Sequence, residues 1–120
     1  MNKEKLWVDD ERDPAKFTGE DDWLWAKTYD QAIDALNKYS FEIISLDNDL
    51  GMNEEGNDNG YQGRHVFIFI EQLLFEHNEK VSGLKEVRVH SSNPVAVREI
   101  MSTKDNMRFR FNIQVSQTVL

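Results

Sequence analysis

Three short polar stretches carry the residue types that do chemistry: Asp9-Asp10, Asp47-Asn48-Asp49 and His90-Ser91-Ser92-Asn93-Pro94. Gathered carboxylates repel, by about 4 kcal/mol for two charges ~4 Å apart at an effective dielectric of ~20. Such a group persists where a cation, a base or a raised pKa relieves it. An all-oxygen donor set suits Mg²⁺, Mn²⁺ or Ca²⁺, so Asp9, Asp10 and Asp47 are candidate metal ligands. His90 and Ser91 offer acid–base or nucleophilic chemistry beside them. Each has a plain alternative: acids that end strands and face water, a histidine satisfied in the core, and Asn93 capping the helix that Pro94 opens.

Other chemistries are excluded. The chain has no cysteine, which removes disulfides, thiolate catalysis and Cys-based metal sites. Counted from Asp47, the glycine needed for a helix–loop–helix calcium site falls one place early, and Asp58 stands where the closing glutamate belongs. The loop that follows reads instead as a ligand-facing lid or a turn. No dinucleotide fingerprint, phosphate-binding GxxxxGK[ST] or HExxH occurs. His65 and His77 flank an apolar segment and read as structural.

These residues need elements to position them. Lys5-Leu-Trp-Val-Asp9, residues 23–28, Phe41-Glu-Ile-Ile-Ser-Leu-Asp47 and Glu86-Val-Arg-Val-His-Ser91 read as strands, three of them ending in the chemical residues. Thr28 is placed to cap a helix over 29–39, residues 64–79 form a largely buried helix, and Pro94 opens another that continues from Val95 to Met101. Residues 10–22 hold Pro14 and Gly19, show no helical period and read as loop. Phe109, Phe111, Ile113 and Val115 alternate with polar residues and predict a last strand buried on one face. Strands alternating with helices define an α/β domain with a mainly parallel sheet of about five strands, whose ligands bind beyond the strand C-termini at the switch in strand order.

At 120 residues the chain is expected to form one domain over 1–120. Its charge is lopsided. Residues 1–62 carry 6 basic and 16 acidic groups, and residues 84–120 carry 6 and 3. The acidic field disfavours a long nucleic-acid duplex, so a phosphate ligand is expected to be small or metal-assisted. No membrane partner is expected, since no apolar run approaches the ~20 residues of a span. No signal peptide is read at the start, and with zero Cys the expected location is cytoplasmic.

Trp7-Val-Asp-Asp-Glu-Arg12, Ser45-Leu-Asp-Asn-Asp-Leu-Gly51, Gly60-Tyr61 and Val89-His-Ser-Ser-Asn-Pro94 together resemble the cyclic-phosphate processing receiver-like family, a divergent relative of the phosphoacceptor receiver domains of bacterial signalling. The resemblance implies a receiver-like (flavodoxin-like) three-layer fold reduced in helices. It makes Asp9 and Asp10 the acidic pair after the first strand and Asp47 the acid after the third. It brings Arg12, Asn48, Gly51, Tyr61, Ser91 and Asn93 forward as phosphate- or ligand-binding residues. Asn48 stands where relatives typically carry His, and no lysine lies at the end of the last expected strand, which argues against ordinary aspartyl-phosphate signalling. Two helices of a receiver are missing, so one sheet face is expected to be covered by a homodimer or by an unusually aromatic loop.

The expected function is processing of a cyclic phosphate, an RNA 2′,3′-cyclic end or a small cyclic nucleotide. Mg²⁺ or Mn²⁺ would be held by Asp9, Asp10 and Asp47, with Asp47, His90 and Asp49 as catalytic groups. In that scheme His90 protonates the leaving oxygen or activates water, Asp49 is a second base or a ligand through water, and Arg12 and Ser91 steady the phosphate. Two alternatives stay open. One is capture of the nucleotide or cyclic phosphate without turnover, for which Asn48 speaks; the other is a degenerate receiver acting as a protein-interaction domain.

Overall fold

The computed structural model describes residues 5–48, 50, 62–91 and 93–118. In chain order these form β1 (Lys5–Val8), α1 (Pro14–Thr18), β2 (Leu24–Ala26), α2 (Tyr29–Lys38), β3 (Ile43–Leu46), α3 (Gly63–Glu76), a 3-10 turn at Asn78–Val81, β4 (Glu86–Val89), α4 (Pro94–Met101), α5 (Lys104–Phe111) and β5 (Gln114–Gln117). The strands make one parallel sheet in the order β2-β1-β3-β4-β5. This is the expected receiver-like, flavodoxin-like α/β fold, and its switch point lies between β1 and β3. None of the described helices is long and apolar enough to cross a membrane.

Register explains how the two faces differ. Leu6 pairs with Ile44, Ile44 with Val87 and Val87 with Val115; Val8, Leu46 and Val89 form the next row. These residues pack in one core with Ala32, Leu36, Val66, Ile70, Leu74, Ile100 and Met107 from the helices. Each large aliphatic residue so buried contributes about 1.5–3 kcal/mol. On the opposite face the aligned row is Trp25, Trp7, Ser45, Arg88 and Ser116. There the edge-to-face pair Trp7–Trp23 lies on the β1 side, while Arg88 and Ser116 bond Glu86 on the β4 and β5 side.

Two stretches differ from their sequence reading. Residues 10–22 are not plain loop, because α1 lies inside them. Asp13 caps it by accepting the Ala15 N–H, Pro14 supplies the fixed φ of the first turn, and Gly19 ends it at φ +76. The two residues read as breakers are thus its start and stop. Phe109 and Phe111 do not belong to the last strand; they lie in α5, whose end is set by Asn112 in the left-handed region at φ 56 and ψ 39. Phe109 is 88% exposed, and Met107 is the buried residue of that helix. The one-face burial holds for β5, where Val115 is buried beside exposed Gln114. The remaining elements stand within a few residues of their expected bounds, with Thr28 and Asn93 in the expected capping positions.

Candidate functional site

The parallel ladder runs one residue past the strand ends. Asp9 N–H donates to Ala26 C=O (3.0 Å), Asp47 N–H to Val8 C=O (2.8 Å) and His90 N–H to Leu46 C=O (2.9 Å). Three adjacent strands therefore present Asp9, Asp47 and His90 at fixed positions around the switch point. One ligand oxygen each from Asp9, Asp10 and Asp47 falls within a 4.8 Å cluster. Asp9 and Asp47 are buried, and Asp10 is half-buried.

The turn that carries Asp9 and Asp10 is tied down from three sides. Asp9 Oδ1 accepts the N–H groups of Glu11 and Arg12, each at 2.9 Å. The indole N–H of Trp7 donates to Arg12 C=O (2.8 Å), and that of Trp25 to Asp9 C=O (2.7 Å). Arg12 is thereby folded back over the cluster, with Nη1 3.4 Å from Asp9 Oδ2 and 3.5 Å from Asp47 Oδ2. β5 carries no lysine, and the cation beside Asp47 comes from this turn instead.

His90 is enclosed. Its Nε2 lies 3.0 Å from Asp9 Oδ2 and its Nδ1 2.6 Å from Ser45 Oγ. Its ring stacks on Trp7 with centroids 4.0 Å apart and planes 10° apart. Burial lowers the imidazole's affinity for protons below the usual value, although Asp9 pulls the other way. Burial pushes the Asp9 carboxyl up, but His90 and the N–H groups of Arg12 and Glu11 outweigh it and hold the group below the ordinary carboxylate range. Both directions favour a carboxylate beside a neutral ring.

The remaining expected ligand residues sit at the same strand ends, with side chains that hold helix starts. Asn48 Oδ1 accepts the Arg64 N–H at 3.2 Å, at the beginning of α3. Ser91 Oγ accepts the Asn93 N–H (3.0 Å), and Asn93 Oδ1 accepts those of Val95 and Ala96 to cap α4. His65, read as structural, accepts the Gln62 N–H at its Nδ1. Asp49, Gly51 and Tyr61, with the loop expected to face the ligand, lie outside the described residues.

Sequence reasoning gave no site role to Trp7, Trp25, Ser45 or Gly63, although Trp7 and Ser45 open two of the family motifs. Ser45 had a signal, as a polar residue inside an apolar strand. Gly63 had none: a Cβ there would stand 1.9 Å from the Asp47 carbonyl oxygen, so only glycine lets α3 press against the backbone that aims Asp47.

Three carboxylate oxygens fit a hard divalent cation in number and type. Two features qualify that fit. Asp9 is already engaged at both oxygens, and Arg12 stands beside Asp9 and Asp47, so an entering cation competes with the guanidinium.

A parallel α/β domain with an acidic cluster at its β1/β3 switch point is a receiver-type domain. Within that class the chain belongs to the cyclic-phosphate processing receiver domain family, whose model matches residues 4–106, most of the chain and every residue of the cluster. No curated protein and no solved structure matches it.

Proposed function

We propose that the protein opens a small cyclic phosphate ester to a monoester at the Asp9–Asp10–Asp47 cluster. The observation that supports this most is the convergence of three carboxylates and one arginine at the switch point of a fold whose family is tied to cyclic-phosphate processing. In the reaction a water oxygen bonds to phosphorus, one ring P–O bond breaks, and the departing oxygen takes up a proton. A Mg²⁺ or Mn²⁺ ion held by the three aspartates would polarise the phosphoryl oxygens and make bound water more acidic. Arg12, a third exposed along its side chain, turns from its carboxylates to the phosphate anion, with paired N–H donors suited to two phosphate oxygens. Asp10, the more open of the three acids, accepts the proton from water. The acidic first half of the chain favours a small ligand or a short RNA end over a duplex. The absence of cysteine suits a reducing, cytoplasmic setting.

A second reading is capture without turnover. It is favoured by the enclosure of His90, whose ring nitrogens are engaged by Asp9 and Ser45 and whose side chain is fully buried. Phosphorus NMR of a mixed pool of cyclic phosphates with protein and Mg²⁺ or Mn²⁺ separates the two. A cyclic resonance that becomes a monoester with wild type and not with Asp47→Asn establishes the esterase. A resonance that broadens and returns intact establishes capture. An unchanged pool refutes both.

A further inference from the structure

Ser45 sits inside β3 between Ile44 and Leu46 and is 1% exposed. A hydroxyl buried without a partner costs about 1–3 kcal/mol, and here the partner is Nδ1 of His90 at 2.6 Å. The other ring nitrogen meets Asp9 Oδ2 at 3.0 Å. Trp7 lies flat against the imidazole, which hinders a ring turn that would exchange the two nitrogens. An ionised carboxylate only accepts, so Nε2 must carry the ring proton. The Nδ1 of a neutral ring is then a lone pair, and a hydroxyl is the group that satisfies it. The chain of donors runs in one direction, from Ser45 through His90 to Asp9.

We propose that Ser45 is a positioning residue of the site: its hydroxyl donates to Nδ1 and anchors the His90 ring, whose Nε2–H, selected by Asp9, holds that carboxylate in the orientation that meets a cation. The inference rests on the proposed cation role of Asp9. It makes His90 a holder of Asp9 rather than a proton donor to substrate. Removal of the hydroxyl in Ser45→Ala would leave the fold and the Nε2–H bond to Asp9 in place but strip Nδ1 of its donor, so that the ring is held from one side only.

The test uses the full chain labelled with ¹⁵N, near neutral pH. Long-range proton–nitrogen NMR reads the tautomer of each of the 3 histidines, and the His90→Gln spectrum identifies the resonances of His90. Paramagnetic resonance of added Mn²⁺ reads cation affinity on the same samples. The expected result is the Nε2–H form in wild type and in Ser45→Ala, a His90 Nδ1 resonance shifted in Ser45→Ala by loss of its hydrogen bond, and about tenfold weaker Mn²⁺ binding in that variant, as for other residues that orient a metal ligand. Ser45→Thr, which keeps the hydroxyl in a strand-compatible residue, retains the wild-type Nδ1 resonance. A wild-type His90 in the Nδ1–H form overturns the assignment, as does an Nδ1 resonance unchanged by Ser45→Ala. If the nitrogen resonances behave as expected and wild type binds no Mn²⁺, the anchor on His90 stands and the cation reading of the cluster is what has failed.

Discussion

Arg12→Gln is the most informative single change, because it removes the cation from between two buried carboxylates and keeps a polar side chain of similar length. Each N–O contact of about 3.5 Å is worth close to 5 kcal/mol at an effective dielectric of ~20 before solvation is counted. Carboxylate oxygens within 4.8 Å of one another repel by about 3.5 kcal/mol or more on the same scale. Breaking a fully buried ion pair costs about 3–5 kcal/mol. The Arg12 side chain is 32% exposed, so water screens part of this and the expected loss is about 2 kcal/mol. For a domain of this size that lowers Tm by about 6–10 °C. Thermal unfolding in EDTA measures the loss, and the same scans with Mg²⁺ measure its recovery. A cation at a hundred times its Kd returns about 2.7 kcal/mol, and it binds the variant more tightly because no guanidinium has to leave first. Lys38→Gln, which opens the exposed Lys38–Asp34 pair, serves as the control and should move Tm by little. If Arg12→Gln and wild type unfold together both with and without Mg²⁺, the electrostatic account of the cluster is wrong.

Gly63→Ala should cost about 3 kcal/mol in urea unfolding, since its Cβ meets backbone rather than a movable side chain; a loss under about 1 kcal/mol would show that α3 can step away from Asp47 freely. Glu71 of α3 is half-buried, and burial raises its pKa. Because the folded form favours the proton, the penalty is present above the folded pKa and relieved as pH falls through it, so Glu71→Gln should raise Tm at neutral pH and lose that advantage near pH 4. An advantage that persists in acid would point to a cause other than the buried charge. Asn112 holds φ 56, and Asn112→Ala is expected to lose about 1–2 kcal/mol while Asn112→Gly loses nothing. A homodimer across the polar sheet face would cover Glu86, Arg88 and Ser116; a clean monomer by light scattering at high micromolar concentration removes it.

The candidate site was legible, as a place where residues converge, where chemistry and strand ends coincide in the sequence. Asp9, Asp10, Asp47 and His90 follow apolar runs, and the parallel-sheet rule says that such ends converge. What escaped were the residues whose work depends on distant partners. Ser45 meets His90 across 45 positions, and Trp25 reaches back 16 to the Asp9 carbonyl. The misread stretches have a local cause instead. One turn of helix is too short to show a period, so α1 is announced only by Asp13, Pro14 and Gly19. In α5 the Phe109–Phe111 alternation matches a strand by coincidence. Phe111 packs edge-to-face on Phe75 of α3 while Phe109 faces solvent, and an asparagine, not a glycine, makes the left-handed stop.

The tryptophans that brace the acidic turn also make it visible to light. All 3 tryptophans of the chain lie on β1 and β2 or immediately beside them. Trp7 is stacked on His90 and bonded through its indole to the Arg12 carbonyl, and Trp25 is bonded to the carbonyl of Asp9. Indole emission responds to the field around the ring and to the loss or gain of a hydrogen bond at its nitrogen. Movement of Arg12, or a new charge beside Asp9, therefore alters emission at the two rings that touch the turn. The protein needs no dye: its own fluorescence can be titrated with cation and with cyclic phosphate in turn, giving the order in which they arrive.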